Sequence, residues 1–214
     1  MYTIPRIFFS VALLGCAGLA LAAPITYNVE VNTASIAGTP GSLDFNFNPG
    51  PLTSQAASLQ ILKFSAVGSL AGNPMSNGHV NGTLPATLIF DNGTAFNDYF
   101  EGFTFGSTLS FNVSLYGPAL SSPDGTSTSG SAFAFSLFSD ATGTTPVLTS
   151  DTANGFAFVV NVNLDGTTTA TNFITGSSVP EPGSGLLIGV AVAFGTLCFR
   201  RRNCRTCVDL NAHL

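Results

Sequence analysis

The chain has 214 residues, 45% of them hydrophobic and only 8% charged, with six basic residues against eleven acids. Four of the basic residues lie between positions 200 and 205, so residues 23–178 carry one lysine (Lys63), no arginine and nine acids. A body so negative is repelled by phosphate backbones and anionic headgroups, which excludes nucleic-acid binding.

At the N-terminus, Arg6 precedes an almost unbroken apolar run over residues 7–21, and Ala20-Leu21-Ala22 follows the small-x-small rule. That order predicts a secretory signal peptide over residues 1–22, cut between Ala22 and Ala23. A cut one residue later would place Pro24 first, which disfavours it. Leu13-Leu14-Gly15-Cys16 has the look of a lipoprotein box but leaves only eight apolar residues before it. The alternative to cleavage is an N-terminal membrane anchor.

From residue 25 to 175 hydrophobic residues recur at period two. Tyr27, Val29 and Val31 alternate with Asn28, Glu30 and Asn32. Leu43, Phe45 and Phe47 alternate with Asp44 and Asn46, and Leu109, Phe111, Val113 and Leu115 with Ser110, Asn112 and Ser114. Phe156, Phe158, Val160, Val162 and Leu164 make the longest row. Fainter patterns predict strands at 57–67, 84–90, 99–105, 132–138 and 167–174. Asn81-Gly82, Asp91-Asn92-Gly93, Asp124-Gly125 and Asp165-Gly166 supply turns that tolerate positive φ. Alternation broken by such turns predicts one all-β ectodomain over residues 23–175, an antiparallel two-sheet sandwich or jelly roll with a phenylalanine-rich core. The cysteines are Cys16, Cys198, Cys204 and Cys207, so this domain is expected to hold together without disulfides.

Groups able to do chemistry are few. His79, in "SNGHVNG", reads as an exposed loop histidine with no orienting acid beside it in sequence. No Gly-x-Ser-x-Gly elbow is present, and Asp98 and Glu101 fall on opposite faces of any strand, so no enzyme is expected. "DNGTAFNDYFEG" gathers oxygen donors, and Asp91, Asp98 and Glu101 are candidate Ca²⁺ ligands. The plainer reading there is a hairpin turn followed by a polar loop, with no cofactor. Asn81, Asn92 and Asn112 head glycosylation acceptor triplets, two of them better read as turns. With no tryptophan and only Tyr27, Tyr99 and Tyr116 in the body, the sequence displays no aromatic platform for sugars. "TTTAT" at 167–171 is too short an array for an ice-matching face.

Residues 175–178 read as a tether. Then come Val179, Pro180, Glu181 and Pro182, an apolar stretch over 183–199, and Arg200, Arg201 and Arg202. Seventeen residues make a helix of roughly 25 Å, a little under the hydrocarbon thickness of about 30 Å, and the arginines would hold its end in the cytoplasm. This order resembles the PEP-CTERM sorting signal of exopolysaccharide-producing Gram-negative bacteria. The resemblance implies 176–202 as the sorting signal, with an exosortase cutting near Pro180-Glu181-Pro182. The chain departs from that pattern by continuing over 203–214, where Cys204 and Cys207 form a lone pair without the second pair a zinc site needs. We read this segment as a short cytoplasmic tail.

The stretches "YNVEVNTASIAGTPGSLDFNFNPGP", "NDYFEGFTFGSTLSFNVSLYGPAL" and "NGFAFVVNVNLDGTTTAT" further resemble an uncharacterised PEP-CTERM ectodomain family, which implies no activity. The sequence therefore points to an exported, non-enzymatic surface or biofilm-matrix protein. Its expected route runs from the inner membrane, through the secretion machinery and exosortase, to the cell surface or extracellular matrix. The alternative is a module that binds extracellular polysaccharide or Ca²⁺, with ice binding further behind.

Overall fold

The structure, a computed structural model, describes residues 23–175. The expected signal peptide, sorting signal, membrane span and tail lie outside the described residues. Among the described residues no helix is long and apolar enough to cross a membrane.

In chain order the strands are β1 (Ile25–Asn32), β2 (Pro40–Pro49), β3 (Ser58–Ala66), β4 (Ser69–Leu70), β5 (Met75–Asn77) and β6 (Val80–Asn81). They continue as β7 (Leu88–Asp91), β8 (Asp98–Thr104), β9 (Thr108–Tyr116), β10 (Ser131–Phe138), β11 (Phe156–Val162) and β12 (Thr168–Asn172). Among the described residues helix is confined to two single turns, Ala34–Ile36 and Pro118–Ser121. One sheet runs β1-β9-β3-β7-β6; the other runs β12-β11-β10-β2-β8-β4, with β5 also paired to β8. Every strand pair is antiparallel.

The two sheets bury one face each because inward positions of their strands are apolar and outward ones polar or small. Phe111 of the first sheet meets Phe45 and Phe135 of the second at ring separations of 5.2 and 4.8 Å, and Phe45 and Phe135 lie 4.9 Å apart. Tyr27 and Phe158 make a second contact across the sandwich, edge to face at 6.1 Å. These rings, with Leu43, Leu59, Ile61 and Phe133, are almost wholly buried. The all-β, two-sheet expectation holds.

Three local expectations do not. The strand expected at 84–90 begins only at Leu88, because Pro85 has no N–H to give a ladder. Leu164, assigned to the buried row of β11, is 50% exposed, since the turn begins at Asn163 and Gly166 N–H closes onto the Asn163 carbonyl at 3.1 Å. Phe156 also leaves that row. Phe135 pairs with Phe158 but Ser136 with Phe156, so Ala157 forms a β-bulge that turns Phe156 outward. The short strands β4, β5 and β6 carry no alternation and are visible only through their partners.

Candidate ligand-binding groove and carboxyl pair

Strand β10 lies between β2 and β11, and its outward side chains are small. Ala132 stands between Asn48 and Asn161, and Ala134 between Asn46 and Val159. Two methyl groups flanked by longer side chains leave a groove along the outer face of the sheet, about 760 Å³ in volume. Phe96 stands on the β2 side, 54% exposed, and the bulge delivers Phe156 to the β11 side. Among the described residues no charged side chain lines it.

The amides around the groove are held from behind. Asn46 Nδ2 donates to Asp44 Oδ1 at 2.8 Å, and Asn48 Oδ1 accepts from the Asn97 N–H at 2.6 Å. Asn46 Oδ1, Asn48 Nδ2 and both polar atoms of Asn161 have no hydrogen-bond partner among the described residues. Asn97 is fully buried; its Nδ2 donates to the Phe47 and Thr94 carbonyls at 2.9 Å, and its Oδ1 accepts from the His79 N–H at 2.8 Å and from the Thr94 hydroxyl. Because buried amides without partners are costly, this set fixes the loop that displays Phe96.

Beside the groove lies a pair of carboxyl groups. The β2–β8 register sets Asp44 opposite Phe100 and Asn46 opposite Asp98, which brings the two acids together on the outer face. Burial, then the hydrogen bond and the charge of Asp98, pushes Asp44 up to about 8. Asp44 thus favours its protonated form and shares a hydrogen bond with Asp98, whose Oδ2 also accepts from Asn77 Nδ2 at 3.3 Å. Sequence reasoning missed both the groove and this pair. The acids stand in separate strands, and only the register joins them.

The candidate Ca²⁺ ligands occupy three different surroundings. Asp91 Oδ1 lies 2.6 Å from His79 Nδ1, each side chain 51% exposed, and also accepts the Gly93 N–H. The strand pairing of β6 with β7 thus gives His79 the acid partner that sequence adjacency does not place there. Asp98 faces outward with Asp44. Glu101 points inward, 1% exposed, and accepts from the Tyr99 hydroxyl at 2.6 Å and the Gly72 N–H at 3.1 Å. Burial and this Glu101 contact push the Tyr99 phenol up. Among the described residues no three His, Cys, Asp or Glu side chains are grouped to hold a metal. Asn92, one of the acceptor-triplet asparagines, is committed to the Ala57 N–H, the Gln55 carbonyl and the Ser131 hydroxyl. In the "TTTAT" stretch, the Thr167 and Thr169 hydroxyls accept from Asn163.

The remaining expected site residues flank this domain. Residues 178–202 match the family model of the PEP-CTERM protein-sorting motif. The chain carries a PEP-CTERM sorting motif. Val179, Pro180, Glu181, Pro182, Arg200, Arg201 and Arg202 all fall inside the match. The PEP-CTERM motif implies export to the cell surface through exosortase-type sorting, with an exosortase as the partner. No curated protein and no solved structure matches the chain.

Proposed function

We propose that this chain is an exported, non-enzymatic protein of the cell surface or extracellular matrix. It pauses in the inner membrane as a precursor and is cut by an exosortase near Pro180-Glu181-Pro182. The observation that carries this reading is the sorting motif at 178–202 behind a disulfide-free β-sandwich.

Two features support a role without catalysis. Asp44 and Asp98 are hydrogen-bonded to each other, whereas carboxyls that cleave a glycosidic bond stand about 5 Å or more apart with the sugar between them. The His79 ring bonds only to Asp91 among the described residues, so no serine, threonine or cysteine is poised as a nucleophile.

Fractionation of the native host tests the reading. In the wild type, mass spectrometry of the surface or medium fraction should find a protein that begins at Ala23 and lacks Arg200 to Arg202. Glu181→Ala, or deletion of the exosortase, should leave the full-length chain in the inner membrane. Mature protein that still carries the three arginines would overturn it.

A further inference from the structure

The groove over β10 has three properties that together select a ligand. Among the described residues no charged side chain lines it, its polar atoms include several with no hydrogen-bond partner, and it has an exposed aromatic ring on a fixed loop. Its volume of about 760 Å³ falls inside the range of roughly 300–1,000 Å³ typical of ligand clefts.

The available polar atoms identify the chemistry. Asn48 offers a donor, Asn46 an acceptor and Asn161 both, on the two sides of an apolar floor made by Ala132 and Ala134. Adjacent hydroxyls on a sugar ring present a donor and an acceptor side by side, which is what an amide pairs with. Between hydroxyls a pyranose carries apolar C–H faces, and the Phe96 ring offers a surface for one of them. Asp44 and Asn97 hold two of the amides from behind, so little side-chain entropy is lost on binding.

Other occupants fit less well. An extended peptide adds to a sheet through an open edge, but β10 is paired on both sides. An apolar helix would desolvate the Asn48 and Asn161 amides without replacing their hydrogen bonds. An anionic polymer would meet a body of nine acids and one lysine, with Asp98 next to the groove.

We propose that the groove over β10 binds an uncharged polysaccharide, one sugar ring stacking on Phe96 and its neighbours bonding to Asn46, Asn48 and Asn161. This rests on the reading above that the protein works at the cell surface without catalysis.

The test is affinity electrophoresis of the full chain in a non-glycosidic detergent, through gels containing dextran, laminarin, galactomannan or the anionic polymer alginate. At least one uncharged polymer should retard the protein, and alginate should not. Phe96→Ala and Asn161→Ala alter exposed side chains, so their thermal unfolding should match the wild type while binding weakens about tenfold; Phe96→Tyr should retain it. The proposal is overturned if none of the three uncharged polymers retards the chain, or if alginate does. Retardation unchanged by both alanine variants overturns it too, as does sedimentation showing that Phe96 instead mediates self-association. Host fractionation of Phe96→Ala separates the two readings: normal processing with binding lost leaves the export reading standing, and a processing failure in the wild type leaves the groove untouched.

Discussion

Asp44 takes its chemistry from the fold. In an unfolded chain its carboxyl titrates near 3.8; in the sandwich, burial and Asp98 raise it to about 8. The folded state therefore holds this proton more tightly than the unfolded state does. The stabilisation is complete below the ordinary carboxylate range and is lost as pH rises toward 8, by at most about 1.4 kcal/mol per pH unit. Asp44→Asn keeps a donor toward Asp98 and removes the titration. We expect its Tm to match the wild type at pH 4 and to exceed it progressively up to pH 9; a constant difference across that range would contradict the shared proton. The exposed acids behave in the opposite sense. Asp140, held down by the Thr142 hydroxyl and by the Thr142, Thr144 and Thr145 N–H groups, stabilises its turn above the ordinary carboxylate range. Asp124, Asp151 and Asp165 do the same in theirs, through Ser127 and Thr126, Asn154 and Ala153, and Thr167. That support is lost only in acid, as pH falls through their lowered values.

At the scale of elements, the loop before β8 and the bulge in β11 turn a flat sheet face into a groove. Asn97 anchors the first through four side-chain hydrogen bonds in a fully buried position. Asn97→Ala orphans the Phe47 carbonyl and His79 N–H partners, and we expect it to cost about 2–4 kcal/mol in denaturant unfolding. A loss under about 1 kcal/mol would mean that the loop closes without it. The long strands were legible because inward phenylalanines and valines alternate with Ser and Asn. The groove was not. Ala132 and Ala134 mean nothing until Asn48 and Asn161 are known to flank them, and Phe156 reads as core until the bulge at Ala157 is seen. Asp44 and Asp98 likewise meet through a pairing that joins distant segments, and no local pattern encodes that register. The acid beside the exposed His79 was hidden for the same reason: Asp91 sits across the β6–β7 pairing.

For the whole molecule, the proposed route requires that the domain survive the loss of both ends. Strand order makes this possible. The first strand, β1, is one edge of its sheet, and the last, β12, is one edge of the other. Every ladder among the described residues lies within residues 25–172, so the proposed cuts after Ala22 and near Pro180 leave those ladders whole. No cysteine lies between 23 and 175, so no covalent tie is needed either. A chain of about 150 residues buries close to 70% of its unfolded surface, enough for an independent core. The interlocked Phe45, Phe111 and Phe135 supply the centre of that core. Residues 23–178, expressed without either end, should therefore give a β-type circular dichroism spectrum and one cooperative thermal transition, with a Tm that reducing agent does not move. The nine acids against one lysine add a second expectation: raising the salt from about 0.01 to 0.5 M shortens the screening length several-fold and should raise that Tm. A helical or non-cooperative product would show that the flanking segments are needed to fold the domain, and that a cut at Pro180-Glu181-Pro182 could not release a stable protein.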